Sequence, residues 1–375
     1  MADATTGLEL RSTITAEGRL TLSLEEVAVA EPGPDEVVVR IEAAPINPSD
    51  LGLLLGPADL ATMRATEEPD RPTLTFDVPE QRLAMVAARI GESMPVGNEG
   101  AGTVVRAGAN AAHLLDRKVG MIGGAMYAQY RRIAARDCVP LPDGASAADG
   151  ASMFVNPLTA LGFVETMRLE GHKAIVHTAA ASNLGQMLNR ICLADGIELV
   201  NIVRGAAQGA ILRDIGATWV VDSSAADFQE KLTDAVAATG ATLGFDAVGG
   251  GKLAGQILTA METAANRTAG AYSRYGSTVF KQVYVYGSLD LGPTVLNRAF
   301  GMAWGVGGWL LFPFLQKAGP EIAARMRRRV VDELTTTFAS RYTATIGLAE
   351  ALDPHILTAY QRKATGEKYL IDPTR

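Results

Sequence analysis

Beyond Asn156 the chain alternates strand-like and helix-like segments, a rhythm that restricts it to a parallel sheet with right-handed crossovers. Buried-strand patterns fall at 174–178, 199–203, 219–222, 243–248 and 282–289, and helical apolar spacing falls at 184–194, 228–238 and 252–264. Five strands with short connections predict a doubly wound α/β domain. Ahead of it, EVVVRIEAA at 36–44 alternates like a half-buried strand and breaks at Pro45 and Pro48. GNEGAGTVVRA at 97–107 and two short patterns within 118–134 predict more strands, so the first part reads as mostly β and barrel-like. Between them, 57–95 is a long polar stretch that reads as an insertion, its clearest element a helical pattern over 80–90. The basic pattern at 321–336 reads as a solvated amphipathic helix.

A length of 375 residues exceeds what one core fills, which predicts two domains, and the composition, with 48% apolar and 20% charged residues, is that of a compact globular protein. A net charge of −7 argues against a nucleic-acid surface. Cys138 and Cys192 sit apart in apolar sequence without a CxxC or Cys/His cluster, so neither a disulfide framework nor a structural zinc site is expected, and a reducing cytoplasm fits. MADATTGLEL lacks the charge and apolar run of a leader. The apolar run at 300–315, FGMAWGVGGWLLFPFL, is shorter than the ~20 residues of a membrane span and reads as a buried segment at a domain or subunit junction.

The turn after the first parallel strand, Ala179 to Gly185, occupies the place where a Rossmann fold carries GxGxxG. Ala180 and Ser182 replace the first two glycines, but both are small enough for backbone N–H groups to approach a pyrophosphate. Gly185 allows close helix packing, and Asn183 and Leu184 open the helix whose N-terminus faces the phosphates. As a pattern this turn is weak; its position in a βαβαβ run makes it a dinucleotide site. At the end of the second strand stands Arg204 instead of a carboxylate, which favours the 2′-phosphate of NADPH; the competing reading is a solvated strand-end arginine.

These residues carry a resemblance to a known family. AAPINPSD at 43–50, VGNEGAG at 96–102, MYAQY at 126–130, VNPLTA at 155–160, the 179–185 turn, VNIVR at 200–204, FDAVGG at 245–250 and GEKYLI at 366–371 occur in the order found in the medium-chain dehydrogenase/reductase superfamily. The chain resembles most its zinc-free quinone oxidoreductase and 2-enoyl thioester reductase branches. The resemblance implies a GroES-like β-barrel-type catalytic domain from 1–155 and 345–375, with 57–95 inserted, and a Rossmann domain from 156–344. Where zinc-dependent relatives carry Cys and His ligands this chain has Asn47 and Asn98, and carboxamides are poor zinc ligands, so no metal is expected.

The implied chemistry is hydride transfer from NADPH to a quinone or an α,β-unsaturated carbonyl, with 2-enoyl thioester reduction, or a catalytically silent NADPH-binding sensor or structural protein, as alternatives. The resemblance puts Asn47 and Thr159 beside the nicotinamide, Gly287 and Ser288 against the cofactor, and Lys368 near the nicotinamide or substrate. Without it, Asn47 reads as a loop cap and Thr159 as a cap of the helix at NPLTA. His177, at the end of the first parallel strand, reads as a structural neighbour of the cofactor. The thioester reductases carry a proton-donating tyrosine after NPSD, whereas residues 54–58 here hold none. Tyr127, Tyr272 and Tyr275 are the remaining phenols near glycine-rich turns, and Tyr127 is the candidate kept for the site. The expected partner is a small-molecule substrate, with no nucleic acid or membrane, and the resemblance implies a homodimer formed in the region of the 300–315 run.

Overall fold

The computed structural model describes residues 5–66, 68, 71–270 and 272–375, so the first four residues of the MADATTGLEL stretch lie outside it. The chain divides into two units, one comprising Met1–Val155 and Val331–Arg375, the other Asn156–Val330.

The first unit is built around the strand Glu36–Pro45. It pairs antiparallel with Glu99–Ala107, with Tyr130–Ala134 and, at its far end, with Tyr369–Ile371. Val37, Val38 and Val39 are all fully buried, and beyond them exposed Arg40 and half-buried Glu42 alternate with buried Ile41 and Ala43 as the pattern predicts. Together with Lys118–Ile122, Cys138–Pro140 and Ala344–Ile346 these strands make a seven-stranded sheet. A second, five-stranded sheet runs in the order Asp59–Ala65, Leu74–Asp77, Arg19–Ala28, Thr6–Ile14, Ser93–Pro95. The 57–95 stretch therefore supplies three strands of a sheet, and Leu74 and Phe76 enter the core fully buried. Its predicted helix is cut to Glu80–Leu83 followed by a 3-10 segment, Ala84–Arg89, in which Val86 leaves helical geometry. One apolar core joins Leu10, Ile41 and Phe76 to Ile346, Leu357 and Ile371.

The second unit carries an all-parallel sheet in the order Trp219–Asp222, Glu198–Val203, Ala174–His177, Leu243–Asp246, Lys281–Val285, Trp304–Gly308. This is the 3-2-1-4-5-6 order of a Rossmann sheet, whose direction of growth reverses between the Ala174–His177 and Leu243–Asp246 strands. Six strands are present where periodicity predicts five. The additional one comes from the apolar 300–315 run, which is an edge strand followed by the helix Leu311–Ala318, with Trp309 and Phe314 buried but Leu310 and Phe312 exposed. Its glycines hide it from a strand reading, and at Gly305 a β-carbon would press on the Gln282 carboxamide, which would have to shift. Among the described residues no helix is long and apolar enough to cross a membrane. The basic helix Pro320–Asp332 buries Met326 and Val330, and its Arg325 and Arg329 pair with Glu165 and Asp195 at 2.8 Å each.

A buried ion pair fixes the fifth strand. Lys281 Nζ lies 2.6 Å from Glu262 of the helix Leu253–Arg267, and the same carboxylate accepts from Ser277 N, Ser277 Oγ and Asn266 Nδ2. Replacing Lys281 by Met leaves Glu262 buried and uncompensated. The expected loss is about 3–5 kcal/mol, read as a shift of the urea midpoint at unchanged slope. Gly185 offers a second test. A β-carbon there overlaps the carbonyl oxygen of Ala180, so Gly185→Ala is expected to lower stability by about 1–3 kcal/mol in the same assay.

Candidate active site

In the first unit the NPSD and GNEG motifs meet in a buried polar cluster. Asp50 folds back on its own turn, where its Oδ2 accepts the Asn47 N–H at 2.8 Å, and its Oδ1 takes the Asn98 N–H at 2.9 Å. The Tyr127 hydroxyl donates to Asp50 Oδ2 at 2.9 Å and contacts the Pro45 carbonyl at 3.1 Å. Gly97 adopts φ +95° directly against the Tyr127 ring, where no side chain has room. Burial pushes the Asp50 carboxyl up to about 7 against the pull of these three donors.

Glu99 is the second buried carboxylate. Its Oε1 accepts from Asn47 Nδ2 at 2.8 Å, and its Oε2 accepts from the Phe154 and Val155 N–H groups at 2.8 and 2.9 Å. Burial raises its carboxyl and the field of Lys368 opposes the rise. Lys368 arrives on the last strand: Pro45 pairs with Leu370, and the Ile46 N–H donates to the Tyr369 carbonyl, so the register brings Lys368 level with Asn47. Its ammonium is buried 5.7 Å from the centre of the Tyr342 ring, and the Tyr342 hydroxyl is engaged with Ser152 and Ala148. Burial draws the amine down to about 8, against the fields of Glu99 and Asp50. Two atoms of the cluster, Asn47 Oδ1 and Lys368 Nζ, are buried without a hydrogen-bond partner. Leaving such groups unpaired costs roughly 1–3 kcal/mol each.

In the second unit, Thr178 Oγ donates to Asp246 at 2.8 Å across the point where strand order reverses and accepts from the Ala247 N–H. The turn that follows opens on Ala179 at φ +50° and buries Ala180 and Ala181. Ser182 caps the helix Asn183–Asp195, accepting from the Gly185 N–H at 3.2 Å. The Ala180 and Ser182 N–H groups donate to Ile202 O and Ala179 O, so these two residues shape the turn, and Leu184 is buried beneath it. Arg204 follows the second strand, its side chain exposed and its backbone N–H bonded to Gln208 at 2.8 Å. Gly287 and Ser288 lie past the fifth strand, which ends at Val285, with Gly287 pressed against the Ala247 backbone and Ser288 exposed.

Several readings change on this geometry. Tyr127 is fully buried with its proton committed to Asp50 and Pro45, and burial pushes its phenol well above the ordinary range, so it positions Asp50 and has no proton to give. Tyr272 and Tyr275 are exposed and outside the cluster. The loop cap is Asp50, while the Asn47 carboxamide turns to Glu99. Thr159 sits inside the helix Val155–Leu169, buried, and is not its cap. His177 bonds Tyr286 at 2.8 Å, and burial holds the imidazole neutral, down to about 3. Asp50, Glu99, Thr178, Asp246 and Tyr342 were not singled out from sequence. The first two lie inside the quoted motifs, and their value as buried carboxylates depends on contacts that spacing does not show.

Among the described residues no three His, Cys, Asp or Glu side chains gather as a metal site. No family model matches the chain. A mitochondrial enoyl-[acyl-carrier-protein] reductase of Xenopus tropicalis is 29% identical over 210 residues, 53% of this chain and 51% of that protein. A mycocerosic acid synthase-like polyketide synthase of Mycobacterium tuberculosis is 26% identical over 274 residues, 72% of this chain and 11% of that protein. The chain thus spans about half, or a far smaller part, of these curated relatives. A solved structure from Mesorhizobium loti, provisionally named an NADPH:quinone reductase, superposes with a TM-score of 0.73 at 27% identity, covering all of both chains. The chain shares its two-domain fold with further solved structures, among them an Escherichia coli quinone oxidoreductase with NADPH (TM-score 0.67, 18% identity) and an enoyl thioester reductase of Candida tropicalis (TM-score 0.66, 17% identity), each covering 98% of this chain.

Proposed function

We propose that this chain is an NADPH-dependent, zinc-independent oxidoreductase that reduces a quinone or an α,β-unsaturated carbonyl. The observation that carries the reading is the buried Asn47–Asp50–Glu99–Lys368 cluster, which leaves one acceptor and one donor unpaired and holds carboxamides where a zinc enzyme needs Cys and His. The second unit supports the cofactor. Small, buried Ala180 and Ala181 line the turn at the switch point, the N-terminus of a 13-residue helix follows, and exposed Arg204 supplies charge at the ribose end. When bound, the nicotinamide supplies the hydride. Asn47 and Thr159 orient the nicotinamide, Asn183, Gly185, Gly287 and Ser288 hold the cofactor backbone, and Lys368 lies toward the reacting end.

Enoyl thioester reduction is the second reading, favoured by the curated relative of that activity. It ranks behind because the segment after NPSD carries no tyrosine and buries Leu54 and Leu55 instead. The cysteines are free and buried, which fits a reducing cytoplasmic location. The edge strand Trp304–Gly308, with exposed Leu310 and Phe312 beside it, supports a homodimer.

Oxidation of NADPH against quinones, enones and enoyl thioesters tests the activity. Turnover of quinones or enones above thioesters is expected, and binding without turnover selects a silent sensor instead. Calorimetry tests the cofactor. Arg204→Ala is expected to weaken NADPH about 10- to 100-fold with little change for NADH, since a charge-assisted bond contributes ~1.5–3 kcal/mol; equal affinity of the wild type for both cofactors rejects the assignment. Sedimentation of a Leu310→Glu, Phe312→Glu variant is expected to show half the wild-type mass, whereas a monomeric wild type refutes the dimer.

A further inference from the structure

The reduction needs a proton as well as a hydride, and Tyr127 has none to give. We propose that Lys368 is the acid that protonates the substrate oxyanion, in the reaction proposed above and resting on that reading. Three observations carry it. Lys368 Nζ is buried, and no hydrogen-bond partner takes any of its protons. The carboxylate whose field acts on it most, Glu99, has given its oxygens to Asn47 Nδ2 and to two backbone N–H groups, so it stabilises the ammonium by charge without occupying its N–H bonds. The backbone pins the residue from both directions, because the Thr343 N–H donates to the Lys368 carbonyl at 2.7 Å and the Lys368 N–H donates to Thr343 Oγ at 3.2 Å.

The groups that face the amine are Glu99 from the strand Glu99–Ala107, Asp50 from the turn after Glu36–Pro45, and the Tyr342 ring beside its own strand. With the amine drawn down to about 8, it is charged at neutral pH and still a competent donor. Asp50, at about 7, adds negative charge as it ionises and holds the ammonium in place. The reduced nicotinamide would supply the hydride and its two electrons, and the substrate would then carry an enolate or quinol oxyanion. An N–H bond of Lys368 breaks as the O–H bond forms, and the neutral amine regains its proton from water. Asn47 Oδ1, level with Lys368, is the acceptor for a donor on the same bound group.

p-Nitrophenol reads the site without cofactor or turnover, because its yellow phenolate mimics the product oxyanion. The wild type is expected to bind the phenolate in preference to the phenol, Lys368→Arg to retain that preference and Lys368→Met to reverse it. Equal phenolate preference in wild type and Lys368→Met, or no binding by the wild type, overturns the proposal. The second arm is kcat/KM against pH with a substrate that the wild type reduces. A decline above about pH 8 is expected, absent in Lys368→Met, whose rate falls about 10²- to 10⁴-fold, the span of general-acid catalysis. An unchanged profile in Lys368→Met overturns the acid. A wild type that oxidises NADPH with no substrate instead defeats the function proposed above, while the phenolate measurement still reports on Lys368.

Discussion

The cost of burying charge governs the first unit. Asp50, Glu99 and Lys368 all lie out of water, and a buried carboxylate survives in a fold only if hydrogen bonds or an opposite charge replace its hydration. Here five backbone or side-chain donors converge on the carboxylates from the turn after Pro45, the start of the Glu99–Ala107 strand and the residues around Phe154, with a sixth from Tyr127. Those contacts lock three loops together. The strand Glu36–Pro45, paired on both edges and buried along Val37, Val39, Ile41 and Ala43, is the support that holds the arrangement in place.

The Rossmann half was legible because its signal is local. Val176, Val200 and Phe245 sit in short apolar runs separated by helical spacing, and the strands at 219–222 and 243–246 fall where periodicity puts them. The edge strand Trp304–Gly308 escaped because three of its five residues are glycines, so composition masked a pairing that only its neighbour Lys281–Val285 defines. The helix Ala206–Asp214, short and nearly neutral in pattern, escaped for a similar reason.

The β-rich half resisted for a different reason. Leu74 and Phe76 lie in a polar stretch, and nothing nearby in sequence announces that they pair with Leu22 and Leu20 more than fifty residues earlier. The site was legible as motif spelling but not as electrostatics. Asn47 and Lys368 were named from resemblance, whereas the carboxylates that tune them required the meeting of segments some fifty and three hundred residues apart.

The interrupted path of the first unit bears on how the protein is made. Its core is incomplete until Ile346, Leu357 and Ile371 have joined strands synthesised at the other end of the chain, whereas the parallel sheet draws on one continuous stretch. During synthesis the continuous unit has its whole sequence first, and the early β-strands, with their apolar faces and open edges, must wait for the closing residues. Through that interval Val37, Val39 and Phe76 lack the partners that complete their core, and their apolar surface stays open to water.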